Sequence, residues 1–152
     1  PLIFTSGDEL STEARGFLRE ARIAHVHIAG STTAVSDAVE DEVGQLAGVT
    51  VERHAGQTPS RVSVAVAEHF FAIPSAYALV NRDEVATGAV AAAYAGERRH
   101  APVLLTNGRG VDREIVDYMI SSASPDTGGI LVGDNAMVGR EVERQLQRVL
   151  GN

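Results

Sequence analysis

The strongest constraint on this chain is that part of it is written twice. Pro1-Leu2-Ile3-Phe4-Thr5-Ser6-Gly7 lines up with Pro102-Val103-Leu104-Leu105-Thr106-Asn107-Gly108. Ile28-Ala29-Gly30 with Ala34-Val35 lines up with Leu131-Val132-Gly133 with Met137-Val138, after a small insertion around residues 124–128. Phe17-Leu18 and Tyr118-Met119 match between them. A repeated segment specifies a repeated supersecondary unit. Residues 1–46 and 102–149 are therefore read as two copies of one strand–helix–strand–helix unit, with residues 49–101 between them.

The unit type follows from the pattern of apolar residues. Six short runs, Leu2–Thr5, His25–Ala29, Val49–Arg53, Ala76–Val80, Val103–Thr106 and Ile130–Val132, are rich in Val, Ile or Leu and close near turn-forming residues. That is how buried strands look. Between them the spacing turns helical. Val35, Val39, Val43 and Leu46 fall at i, i+4, i+8, i+11, and Val138, Val142, Leu146 and Val149 repeat the same stripe. Ser11 and Asp112 stand where helix N-caps belong, with Glu13 and Glu114 in the first turns. Strands alternating with helices predict a doubly wound, mostly parallel α/β sheet of about six strands with helices on both faces. No Pro- or Ser-rich linker divides the 152 residues, so a single domain is expected.

Charge and composition narrow the partners. The net charge is −7, and all 13 basic residues are Arg. Duplex nucleic acid and anionic membrane both reward a basic face, so neither is expected as the main partner. No apolar stretch reaches the roughly 18–20 residues that cross a bilayer. With no cysteine, a disulfide frame and thiolate chemistry are excluded. The opening directly on a strand-like run reads as a piece of a longer protein.

Enzyme signatures are missing. No Gly-x-Ser-x-Gly elbow occurs, and no Gly-Lys-Ser/Thr phosphate loop, so no catalytic residue or cofactor is assigned. Asp8, Asp83 and Asp134 each follow a strand, yet no Asp-x-Asp pair exists to hold a hard divalent ion, and they read as caps of the following helices. His25 and His27 alternate and so face one side of a strand, where they read as a hydrogen-bonded or edge pair rather than a metal site. His54, next to Arg53, is the one His placed at the expected sheet edge.

Arg53 ends a strand and Arg61 opens a helix, placing both near the carboxyl edge of the sheet, where open α/β folds bind ligands. A cation in a first helical turn opposes the helix dipole, at a cost of about 0.3–1 kcal/mol unless an anion offsets it. Two readings follow: the guanidinium groups meet an anion, or they pair with a nearby carboxylate such as Glu52 or Asp83. Gly56 and the turn Asn107-Gly108 lie beside them and permit close backbone approach.

Read as one string, Arg53-His-Ala-Gly56, Arg61, Ala78-Leu79-Val80, the Ala-rich segment 86–95, Ala101-Pro-Val-Leu-Leu-Thr106, and Leu131-Val-Gly133 with Val138 resemble the type 2 cell wall-binding repeat of Gram-positive surface proteins. Residues 53–150 cover one full repeat and residues 1–46 the second half of a preceding one. The chain departs from the pattern at Gln57–Ser60, at Val62, at Thr87-Gly88-Ala89 and at Val138-Gly139. The resemblance implies a Toprim-like α/β fold, packing of repeats in threes or as a tandem array, and noncovalent attachment to anionic wall polymers outside the cell. It implies ligand contacts at Arg53, Gly56, Arg61, Asn107 and Gly108. Two alternatives remain at this point: a flavodoxin-like ligand-binding or hydrolytic domain using the same edge, and a structural unit that binds only copies of itself.

Overall fold

The computed structural model describes residues 2–46 and 49–151, without the side chains of residues 97–99. Pro1, at the head of the first repeated segment, lies outside the described residues. The chain divides into two compact units, residues 1–57 and 58–152, each described by itself.

In the first unit, α1 (Thr12–Glu20) leads to β1 (His25–Ala29), α2 (Asp37–Gly44) and β2 (Thr50–His54). Both helices start on serine caps: Ser11 Oγ accepts from Ala14 N, and Ser36 Oγ from Val39 N. The strands pair in parallel, with His25 opposite Thr50 and Ala29 opposite His54. Since side chains alternate along a strand, one face of this pair carries Val26 and Val51. These pack against Leu10, Ala14, Leu18, Val39 and Val43. The other face carries His25, His27, Glu52 and His54. Arg15 on α1 pairs with Glu42 on α2, and its guanidinium holds the Glu42 carboxyl below the usual carboxylate range.

The second unit comprises α3 (Pro59–Phe70), β3 (Ala76–Asn81), α4 (Val85–Arg99), β4 (Val103–Thr106), α5 (Arg113–Ser122), β5 (Gly128–Val132) and α6 (Arg140–Leu150). Its strands form a parallel sheet in the order β4-β3-β5. The central strand is buried from Ala76 through Val80, as expected for a parallel strand covered on both faces. On one face Tyr77, Leu79 and Leu104 meet Val64, Ile115, Met119, Val142 and Leu146 from α3, α5 and α6. On the other, Ala76 and Ala78 meet Ala95 of α4. Small residues let that helix sit close to the sheet. The α/β class with parallel strands and helices on both faces is thus the observed one.

Tyr77 and Tyr118 cross edge to face at 5.9 Å. Each buried hydroxyl has a carbonyl partner, Met119 O at 3.0 Å and Phe71 O at 2.8 Å. Burial pushes the Tyr118 phenol up to about 12. Its folded pKa therefore lies above the unfolded value near 10, so the stability it contributes is intact below pH 10 and is lost as pH rises towards 12. We expect an alkaline unfolding transition in that window, shifted upward in Tyr118→Phe. Far-UV circular dichroism against pH measures it, and a Tyr118→Phe profile identical to the parent's refutes the assignment.

One strand differs from expectation. The described residues form five strands in two sheets rather than about six in one, because Leu2–Thr5 belongs to no strand. The reason is a missing neighbour. In the second unit, β4 pairs with the central β3. The first unit has the counterpart of β4 but no described counterpart of β3, so the run has no ladder to join. It still points Ile3 at the apolar cluster while Leu2 and Phe4 face outward.

Candidate functional site

The repeated positions share more than sequence. Gly30 and Gly133 directly follow β1 and β5 with φ of +144° and +130°. A Cβ at Gly30 would stand 3.2 Å from Ala34 Cβ, and one at Gly133 would stand 3.0 Å from Met137 Cβ. After each comes a tight turn: Val35 N donates to Ser31 O, and Val138 N donates to Asp134 O. Ser36 N then donates to Gly7 O, and Gly139 N to Gly108 O, both at 2.7 Å. Gly7 and Gly108 adopt φ of +98° and +75° to offer those carbonyls. In both copies a left-handed glycine receives the N–H at the threshold of the following helix. Asp134 holds its turn by accepting from Ala136 N and Met137 N, and so stabilises a turn rather than capping a helix.

Arg53 and Gly56 belong to the first unit; Arg61, Asn107 and Gly108 belong to the second. The Arg53 side chain, 12% exposed, is held within its own unit. Its Nε donates to Glu40 Oε2 at 2.8 Å, and its Nη1 donates to Gly30 O at 3.1 Å and Val35 O at 2.8 Å. The planar fork clamps the turn after β1 to helix α2. Its carboxylate partner is Glu40, and neither Glu52 nor Asp83. Gly56 is partly buried just beyond β2.

Arg61 is different. It lies in the first turn of α3, whose N-cap Thr58 accepts from Arg61 N. Its side chain is 44% exposed and pairs with Glu68, 50% exposed, at 3.2 Å. Such an exposed pair is worth about 0–1 kcal/mol, so an incoming anion can replace Glu68 at little cost. The start of α3 also reaches the carboxyl end of β4. Ser60 Oγ donates to Leu105 O at 2.8 Å and meets the Asp112 carboxylate at the start of α5. Ser63 Oγ donates to Ser60 O and accepts from Leu105 N. These serines therefore stitch helix to strand. Thr58 Oγ1 donates to Glu114 in the first turn of α5. Asp112 precedes α5 as expected, but its carboxylate makes no capping bond.

Asn107 is exposed, and its Oδ1 accepts from Arg109 N and Gly110 N, fixing the turn after β4. Gly108 is buried and its N–H donates to Thr106 Oγ1. One further set of basic side chains escaped the sequence reading. Arg140 and Arg144 on α6, with Glu143 and Gln147, line an open surface depression of about 460 Å³. Their i, i+4 spacing was legible, but nothing in the pattern set them apart from an ordinary solvated face.

The second unit is an open parallel α/β sheet with helices packed on both faces. Residues 53–143 match the family of Cell wall binding domain 2 (CWB2), and the chain belongs to that family. It is a cell wall-binding module, and its place is outside the cell, associated with the wall. The chain is 26% identical over 146 residues to the N-acetylmuramoyl-L-alanine amidase LytC of Bacillus subtilis (strain 168), covering 96% of this chain and 28% of that protein's length. Among solved structures it is similar to Cwp6 from Clostridium difficile, with a TM-score of 0.76 and 15% identity over 94% of this chain and 22% of that one. Cwp8 from Clostridium difficile gives 0.65 and 22% over 84% and 20%. No described helix is long and apolar enough to cross a membrane.

Proposed function

We propose that this chain is a non-catalytic anchor that holds a larger protein on anionic wall polymers. The observation that carries the reading is the CWB2 match across residues 53–143. The side chains at the start of α3 fit a structural role: Ser60 Oγ is held by Leu105 O and the Asp112 carboxylate, and Ser63 Oγ by Ser60 O and Leu105 N, so both tie the helix to its neighbours. Activity such as that of the amidase LytC would then reside in other parts of a longer protein. The same reading gives the module other copies of the repeat as partners, in a trimer or a tandem array.

For polymer contact the reading favours Arg61, with the exposed Asn107 turn as a second candidate in the same unit and Gly56 as a candidate in the first unit. Arg53 would act indirectly by shaping the turn it clamps. With net charge −7 the long-range field repels an anionic polymer, so attraction must be local. A charge-assisted guanidinium contact is worth about 1.5–3 kcal/mol, roughly ten- to a hundredfold in affinity. Cosedimentation with isolated wall sacculi, with and without their secondary polymers, tests both levels. We expect retention that depends on those polymers, weakened at least tenfold in Arg61→Gln with unchanged melting. Retention by Arg61→Gln equal to the parent's removes Arg61 from the contact, and no retention by the parent removes the anchor reading.

A further inference from the structure

We propose that the first unit contains a binding site for a divalent transition metal ion, zinc in the first instance, formed by His27, Glu52 and His54. The site is a product of strand register. Because β1 and β2 run parallel with His27 opposite Glu52 and Ala29 opposite His54, the three side chains emerge from one face of the pair. That face is opposite the one packed by Val26 and Val51 into the apolar cluster.

The distances suit one ion. His27 Nδ1 stands 3.0 Å from His54 Nε2 and 3.9 Å from a Glu52 carboxylate oxygen. One ligand atom from each of the three lies within 4.8 Å of the others. Ligands on a tetrahedral zinc at 2.0–2.1 Å are separated from each other by roughly 3.3 Å, so the histidine pair need open by only a few tenths of an ångström. The two rings are near parallel, with an interplanar angle of 16°. Both named nitrogens present lone pairs when each neutral ring carries its proton on the other nitrogen. His54 is 5% exposed and so held in place, whereas the His27 side chain is 31% and Glu52 50% exposed, which gives an ion a way in. Two imidazoles and one carboxylate select borderline ions such as zinc, cobalt or nickel over magnesium or calcium, which prefer all-oxygen shells.

The test uses the whole chain, stripped with chelator and titrated with zinc chloride in a calorimeter, with magnesium chloride as the hard-ion control. Cobalt(II) absorption supplies an independent readout of nitrogen coordination. We expect one equivalent of zinc bound at micromolar affinity or tighter, and no magnesium uptake. His27→Ala, at an exposed position, should weaken binding at least tenfold while leaving circular dichroism unchanged. Glu52→Gln should weaken it less. His25→Ala, on the same face but outside the cluster, should bind like the parent. Failure of the parent to take up zinc, or stoichiometric uptake unchanged in His27→Ala, overturns the proposal.

Discussion

Gly108→Ala is expected to destabilise the second unit by about 3–4 kcal/mol, through two separable effects. The position has φ of +75°, which costs an L-residue roughly 1–2 kcal/mol. An added Cβ would also meet Met137 O at 2.3 Å and Asn81 Nδ2 at 2.8 Å. The first contact is with backbone, so the turn after β5 must move away. That movement stretches the Gly139 N to Gly108 O hydrogen bond that leads the chain into α6. For a chain of this size each kcal/mol shifts the melting temperature by about 2–4 °C, so a fall of roughly 6–16 °C follows. Tyr77, Tyr94 and Tyr118 all lie in the second unit, and tyrosine fluorescence during melting therefore reports that unit. Gly7→Ala, with φ of +98° and Ala34 O at 2.9 Å, repeats the experiment in the first unit at a smaller clash. A Gly108→Ala melt within 2 °C of the parent's would show that the turn relaxes freely and that the repeated glycine is not required.

Those two glycines were aligned in the sequence, and so was the matching pair Gly30 and Gly133. Local chemistry explains why they were legible: a short apolar run closing on glycine signals its turn without help from distant residues. The strand β4, Val103–Thr106, likewise has the limits its apolar run indicates. Leu2–Thr5 has equal local character yet forms no strand, because strand formation also needs a neighbour and apolar patterning does not report one. Arg53 was legible as a residue of consequence, but its partner was not. Glu52 is adjacent in sequence and so emerges from the opposite face of β2, out of line with the Arg53 side chain. Glu40 lies 13 residues away on α2 and is reached only through the packing of that helix. The histidines show the same limit. His25 and His27 declare a shared face by their spacing, but the ladder between β1 and β2 is what adds Glu52 and His54 to it. Contacts set by register between strands are not written in either strand alone.

The two arginines should separate cleanly, and Arg53→Gln carries the larger effect. Its guanidinium makes a 2.7 Å ion pair with Glu40 and donates to Gly30 O and Val35 O. Glutamine carries no charge and is shorter, so it cannot span the three acceptors. Two carbonyls of a tight turn lose a charged donor, and Glu40, 32% exposed, loses its cation. Hydrogen bonds to charged groups contribute about 1.5–3 kcal/mol each, but they do not add within one network, and water reaches Glu40. A net loss of about 2–4 kcal/mol is the expected result. Arg53→Lys should recover only part of it, since one ammonium cannot serve carboxylate and turn carbonyls in the planar geometry of the fork. Arg61→Gln, at an exposed ion pair, should change stability by less than about 1 kcal/mol. Hydrogen exchange read by mass spectrometry locates the effect: amides of β1 and α2 should lose protection in Arg53→Gln while those of β3 keep theirs. If Arg53→Gln retains full protection in residues 25–44, the clamp contributes little to stability. Arg53 would then stand beside Arg61 as a residue whose worth lies in what it binds.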